Sequence, residues 1–285
     1  MCAAHSLPFD GEHRRRTARS CCKPCVWCSA SNSEVLAARV KTLQATGLFT
    51  GVDPRAVTEI ASQCAIVPVD AHHTLFEEGD QCVGLWILAK GRMRLYHVDP
   101  DGRQLVLKFF KAGEAVQLSA AIDGGSHGLT GTTLEHSILM FVPGPVLRET
   151  MQSQPAFARN VVDALCLMLR RVNVGATTRE FLDAASRIRC ALMQFAYLYG
   201  VPSRDGILID YRLTRQDIAD YVGVTTETAI RAVSQMQREG SVATQSAKIE
   251  IRDVANFARA AGCATCQFDC RAVFGTSGGE LRNGR

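Results

Sequence analysis

The clearest pattern of apolar and polar positions runs from Leu213 to Gly240, LTRQDIADYVGVTTETAIRAVSQMQREG. Ile218, Ala219 and Val222 recur at the spacing of a helix with one buried face, and Ala229, Val233 and Met236 repeat that pattern further on. Between them Gly223 supplies a backbone conformation that side chains obstruct, so the segment predicts two helices joined by a tight turn. Thr225, Thr226, Glu227, Thr228 and Arg231 then fall on or near the exposed start of the second helix. In a helix-turn-helix those positions meet base edges in the major groove. An ordinary helical hairpin with a solvated face has the same periodicity. What favours DNA is the continuation: Ser241 to Gln245 and the alternating run Lys248 to Arg252 (KIEIR) read as a strand pair, or wing. Ahead of the unit, Ile207, Ile209 and Tyr211 alternate like a short strand, and Thr214 is placed to cap the first helix.

Upstream, Ser33 to Leu48 and Val52 to Gln63 are predicted helices. From Cys64 to about Val142 the texture changes to short strands separated by Gly, Asp and Pro turn signals. Strands are expected at Gly84 to Leu88, Met93 to Val98, Gln104 to Phe110, Leu129 to Leu134 and Ile138 to Val142, a spacing that suits a small barrel or jelly roll. A single long helical stretch is expected from Gly144 to about Val174. Its stripe of Phe157, Val161, Leu165, Met168, Leu169 and Val172 is either a dimer seam, the preferred reading, or a face packed on the chain's own barrel. Thr178 to Tyr199 predicts a further helix.

Composition narrows the class. A chain of 285 residues, 47% hydrophobic and 21% charged, is a soluble globular protein with room for about two domains. No apolar run approaches the roughly 20 residues a membrane span needs. Arg14, Arg15 and Arg16 are followed by no apolar segment, so neither an export signal nor an anchor is indicated; a cytoplasmic protein without a membrane partner is expected. A net charge of +4 is compatible with nucleic-acid binding without arguing for it alone. The 12 cysteines are unevenly placed. Cys21, Cys22, Cys25 and Cys28 crowd one N-terminal segment, and Cys263, Cys266 and Cys270 another near the C-terminus. Cys64, Cys82, Cys166 and Cys190 are scattered through regular segments and read as small buried thiols. No Ser-His-Asp, paired-carboxylate or phosphate-loop arrangement stands out, and no catalytic residue is assigned. The Cys-x3-Cys-x2-Cys spelling also occurs in radical-SAM enzymes, but these need a large α/β barrel after it, which short strands and a winged helix do not provide.

The order barrel, long helix, winged helix-turn-helix resembles the Crp/Fnr family of bacterial transcription regulators, over roughly Leu48 to Arg252. Its carriers are HTLFEEGDQCVGLWILAKGRMRLY (His73 to Tyr96), GEAVQLSAAIDGG (Gly113 to Gly125) and LTRQDIADYVGVTTETAIR (Leu213 to Arg231). The resemblance implies an α+β fold: a Cys-rich arm over 1–32, a cyclic-nucleotide-binding-like β-roll (jelly roll) over 33–143, a dimerisation helix over 144–175, a winged helix-turn-helix over 176–255 and a Cys-containing extension over 256–285. It implies a homodimer on a palindromic double-stranded DNA site, acting with RNA polymerase. Glu227 and Arg231 match the family's base-reading Glu and Arg; Glu227 can accept from cytosine N4 and Arg231 can be bidentate to guanine, implying a half-site with TTG or TGA. Thr226 and Ile230 depart from the pattern of particular branches.

The input end is narrowed by the same resemblance. The cyclic-nucleotide branch holds its ligand with a Gly-Glu-Leu turn and an Arg-Ser pair; here those positions read Gln117-Leu118-Ser119 and His127-Gly128, which disfavours cyclic AMP because the phosphate loses its fixed cation. Cys21, Cys25 and Cys28 sit where the Fnr branch carries cluster-binding cysteines, implying a [4Fe-4S] cluster and a response to oxygen, nitric oxide or redox state. The branch's distal Cys aligns with Met140, so a fourth ligand must come from Cys22, Cys2, Cys82, Cys263, Cys266, Cys270 or a non-protein molecule. Alternatives are zinc on the arm, haem held by one of His72, His73, His97, His127 and His136, or direct thiol oxidation at Cys21 or Cys22, whose pKa Arg19 and Lys23 would lower.

Overall fold

The structure is a computed structural model that describes residues 32–245 and 248–261. The N-terminal cysteines and the Cys263, Cys266 and Cys270 group lie outside the described residues.

Two helices, α1 (Asn32–Ala45) and α2 (Pro54–Gln63), lead into eight strands: β1 (Ala65–Val69), β2 (Thr74–Phe76), β3 (Gly84–Lys90), β4 (Arg92–Val98), β5 (Gln104–Lys111), β6 (Ala115–Val116), β7 (Thr130–Thr133) and β8 (Ser137–Pro143). A short helix, α3 (Leu118–Asp123), lies between β6 and β7. The strands form two four-stranded sheets, ordered β1-β8-β3-β6 and β2-β7-β4-β5. This is the expected β-roll. The strands β1, β2 and β6 were not foreseen: β1 carries Pro68, which an edge strand tolerates because the missing N–H faces no neighbour, and β2 and β6 are too short to show a period.

The strands β3 and β8 are buried on both faces, which explains their unbroken apolar spelling. Leu85, Ile87, Met140 and Val142 point into one core with Leu43, Ile60, Leu147 and Phe157 from the helices. Trp86, Leu88, Leu139 and Phe141 point the other way, into a core shared with Phe76, Met93, Leu95 and Phe110 of the second sheet.

The stretch expected as one helix from Gly144 is two, α4 (Gly144–Ser153) and α5 (Pro155–Phe181). Gln154 is extended (φ −124°, ψ 90°) because Pro155 disfavours helical backbone in the residue before it. The next helix, α6 (Ala184–Tyr199), begins later than Thr178: α5 runs on to Phe181, and Asp183 caps α6 by accepting from the Ser186 amide at 2.7 Å. The apolar stripe of α5 divides. Phe157 and Val161 are buried against the β-roll core with Leu165 packed beside them, whereas Val162, Met168, Leu169 and Val172 are exposed, Leu169 to 61%. The first part of the stripe thus packs on the chain's own barrel, and the second is left exposed. Asn160 fixes the first part by donating to the Leu48 and Thr50 carbonyls at 2.9 and 2.8 Å.

The second compact unit, from Leu167 onward with 98–106, holds α6, β9 (Gly200–Pro202), β10 (Gly206–Ile209), α7 (Arg215–Val222), α8 (Thr226–Arg238), β11 (Val242–Gln245), β12 (Lys248–Arg252) and α9 (Val254–Ala260). Its sheet has the order β11-β12-β10-β9. The wing is the antiparallel pair β11 and β12, and the strand foreseen at Ile207 and Ile209 pairs with it. Among the described residues no helix is long and apolar enough to cross a membrane.

Candidate functional site

The local chemistry of α7 and α8 fixes the helix-turn-helix. Thr214 Oγ1 accepts from the Asp217 amide at 3.0 Å while Asp217 accepts from the Thr214 amide at 2.9 Å, so two amides without helical partners are satisfied at once. At the far end Gly223 ends α7 with φ +75°, the left-handed conformation the turn demands. Ile218, Ala219, Val222, Ala229, Val233 and Met236 are all buried, as their spacing predicts.

The five residues expected at the DNA face do not share one role. Thr225 caps α8, accepting from the Thr228 amide at 3.2 Å, and its hydroxyl pairs with that of Thr228 at 2.9 Å. Thr226 donates to Gln216 Oε1. Glu227 and Arg231 are exposed, one turn apart on α8, and neither makes a hydrogen bond or ion pair among the described residues. Among the described residues the N-terminal half of the helix therefore presents the Glu227 carboxylate and the Arg231 guanidinium unpaired, while the threonines hold its first turn. Gln216 escaped the sequence reading. Its only signal was a polar residue on the side of α7 that faces the turn, and it joins α7 to α8 through Thr226 and bonds Asp220. Arg215, half-buried, reaches the wing at Thr244 Oγ1 (3.3 Å), and burial lowers its pKa.

In the β-roll, Gln117 has a left-handed backbone (φ +56°) at the start of α3, and its amide reaches the Leu129 carbonyl at 3.5 Å. His127, at the position where a phosphate-holding Arg would stand, is only 5% exposed and stacks on Phe76 with 3.9 Å between ring centroids. Among the described residues its Nδ1 has no hydrogen-bond partner, and burial lowers its pKa, partly opposed by nearby Asp80. This residue is held as a neutral packing group rather than as a fixed cation. Two other histidines lie at the surface beside carboxylates: His97 Nδ1 is 2.7 Å from Glu78 and His136 Nδ1 3.6 Å from Asp70.

Cys82 is the one proposed fourth ligand within the described residues, and it does not fit that role. It is buried, its thiol donates to the Gly84 carbonyl at 3.3 Å, and burial pushes its pKa up, so the thiolate a metal requires is disfavoured. Cys64 is similar, bonded to the Ile60 carbonyl and pushed up to about 12 by burial. Cys190 is also buried, but Cys166 is exposed on α5, against the expectation of a buried thiol. Met140, at the position of the distal cluster cysteine, is fully buried in the core beneath the helices.

Comparison with known proteins gives two family matches. Residues 66–154 match the cyclic nucleotide-binding domain and residues 186–260 the Crp-like helix-turn-helix domain. A cAMP-activated global transcriptional regulator of Mycobacterium tuberculosis is 26% identical over 219 residues, covering 77% of this chain and 98% of its own length. An anaerobic regulatory protein of Aggregatibacter actinomycetemcomitans is 20% identical, covering 68% of this chain and 76% of its own length. The structure of FixK2 from Bradyrhizobium japonicum shares the fold with a TM-score of 0.63 at 20% identity, covering 69% of this chain and 96% of that one.

Proposed function

We propose that this chain, which belongs to the Crp/Fnr family of transcription regulators, reads a two-fold symmetric DNA site as a homodimer through Glu227 and Arg231 of α8. The family's members are regulators and not enzymes. The observation that carries the proposal is the pair itself: an exposed carboxylate and an exposed guanidinium, both unpaired among the described residues, on a helix whose other face is buried. Glu227 accepts from a cytosine amino group and Arg231 grips a guanine, while RNA polymerase is the expected partner of the DNA-bound dimer. The exposed apolar positions Val162, Leu169 and Val172 of α5 supply the dimer seam.

For the input, the proposed reading is a redox or gas signal taken by an iron-sulfur cluster on Cys21, Cys25 and Cys28. Its support is their spacing, together with the neutral, buried His127 where a cyclic nucleotide would need a cation. Cyclic AMP is disfavoured on the same ground, although the mycobacterial relative is named as activated by it.

Selection of bound duplexes from a random pool tests the output: enrichment of a palindrome with a fixed G·C pair in each half-site is expected, and an unenriched pool would overturn the reading. Anaerobic purification with visible absorption, iron and sulfide analysis tests the input. Colourless, iron-free protein that binds DNA equally with and without oxidant overturns the cluster, and a Soret band replaces it with haem.

A further inference from the structure

A groove on the β-roll unit, outside the roll's interior, has a composition that neither function uses. It runs between the end of α2, the start of β3 and the start of α4, and encloses about 790 Å³. Its charged lining consists of Arg39 and Arg148, and no carboxylate lines it. Asp123 stands nearby, close enough to Cys82 to raise its pKa, and its Oδ1 accepts from the Gly125 amide.

Most polar groups of the lining are committed internally. The thiols of Cys64 and Cys82 donate to the Ile60 and Gly84 carbonyls, Ser62 Oγ donates to the Glu59 carbonyl, and Gln81 donates to the Gly124 carbonyl. The two guanidinium groups are different. Among the described residues Arg39 makes only long contacts from Nη1, at 3.5 Å to the Ala61 and Ser62 carbonyls, and its Nε is buried with no hydrogen-bond partner. Arg148 makes no hydrogen bond or ion pair among the described residues. Its Nη1 lies over Gly144, 3.2 Å from where a β-carbon would stand. A buried Arg donor without an acceptor is costly, and a planar guanidinium fork is matched by the paired oxygens of a phosphate or carboxylate. The remaining wall, Val83, Phe141, Pro143 and Pro145, is apolar.

We propose that this groove binds a small organic anion, with a phosphate or carboxylate group held by Arg39 and Arg148 and an apolar body laid against Val83, Pro143 and Pro145. Burial keeps the Cys64 and Cys82 thiols protonated, so they add no negative charge that would oppose an anion.

Isothermal titration of the full-length chain with phenyl phosphate, benzoate and neutral benzyl alcohol tests it. Saturable binding of at least one anion with Kd below about 1 mM, and none of the alcohol, is expected. The better anion shows which headgroup the site prefers. Arg148→Gln, at an exposed position, should weaken that binding by about tenfold, the loss expected for one charge-assisted hydrogen-bonded contact. Arg39→Lys retains a charge while removing the fork, and should weaken it further than any change in melting temperature explains. No saturable heat with either anion, equal affinity for the alcohol, or unchanged affinity in Arg148→Gln overturns the proposal.

Discussion

In the winged helix-turn-helix the residues proposed to read DNA, Glu227 and Arg231, stand exposed and unpaired among the described residues, whereas in the β-roll His127, the residue aligned with a phosphate-holding Arg, is buried and stacked on Phe76. One unit offers charge to a partner on a preformed helix, and the other has filled the place of a charge with packing. The difference follows from how each surface is assembled. A recognition helix needs neighbours within a few residues, supplied here by the Thr225 cap, the Gly223 turn and the Ala229, Val233 and Met236 face. A β-roll interior is built by residues far apart in sequence, such as Phe76 and His127, and each must fit the others.

Two turn glycines, Gly91 of the β-roll and Gly223 of the helix-turn-helix, should differ in tolerance. Gly91, in the β3 to β4 turn, has φ +97°, and an added β-carbon would lie 2.2 Å from Ser137 Oγ and 2.8 Å from Ser137 Cα. Gly91→Ala therefore meets both backbone strain and a clash with the main chain of β8, and should cost about 3 kcal/mol or more. Gly223 has φ +75°, and an added β-carbon meets nothing closer than ordinary van der Waals distance. Gly223→Ala should cost only about 1–2 kcal/mol, the left-handed penalty by itself. Chemical denaturation of both variants checks the ordering, and equal losses would mean that the sheet at Ser137 gives way more easily than its packing implies.

Arg231→Ala sharpens the comparison from the functional side. Specific DNA binding should weaken by about 1–3 kcal/mol, with preference relaxed at one guanine per half-site and little change in melting temperature. Titration against the selected palindrome and an unrelated duplex distinguishes the outcomes. Equal losses on both would make Arg231 a phosphate contact rather than a base reader.

Legibility in the sequence followed the same division. The boundaries of α7 and α8, their buried faces and the Thr214 cap could be read from spacing because every determinant is local. The Thr226 to Gln216 bond could not, since it depends on how two helices cross. In the β-roll the strands buried on both faces, β3 and β8, were visible as apolar runs, while β1 was hidden by Pro68; the break at Gln154 was missed although Pro155 signals it locally. The burial of Cys64, Cys82 and Cys190 was read correctly from their place in apolar segments, while the exposure of Cys166 was not, because it depends on which face of α5 packs against the roll.

The capping box gives a smaller effect on the exposed, local side of the comparison. Thr214→Ala removes the acceptor for the Asp217 amide and should cost about 1 kcal/mol, whereas Thr214→Ser keeps it and should cost less than half of that. Thermal melts of the pair check this, and DNA sequence preference should be unchanged in both.

The smallest effect belongs to His127 and concerns pH. Burial holds its pKa below the ordinary value, so in the folded chain it stays neutral while in the unfolded chain it takes up a proton near pH 6.5. Stability contributed by the neutral, stacked ring is complete above that pH. It falls as pH drops through the unfolded value, because the unfolded state then binds more protons, and levels off only below the folded pKa. At pH 6 the loss is under about 1 kcal/mol. His127→Phe keeps a ring against Phe76 and removes the unpartnered Nδ1, so the variant should match the parent at pH 8 and exceed it at pH 6. Parallel stability profiles for the two proteins across that range would show that Nδ1 finds a proton acceptor or water in solution, and the contrast between a charged reading helix and a neutral roll interior would lose its sharpest residue.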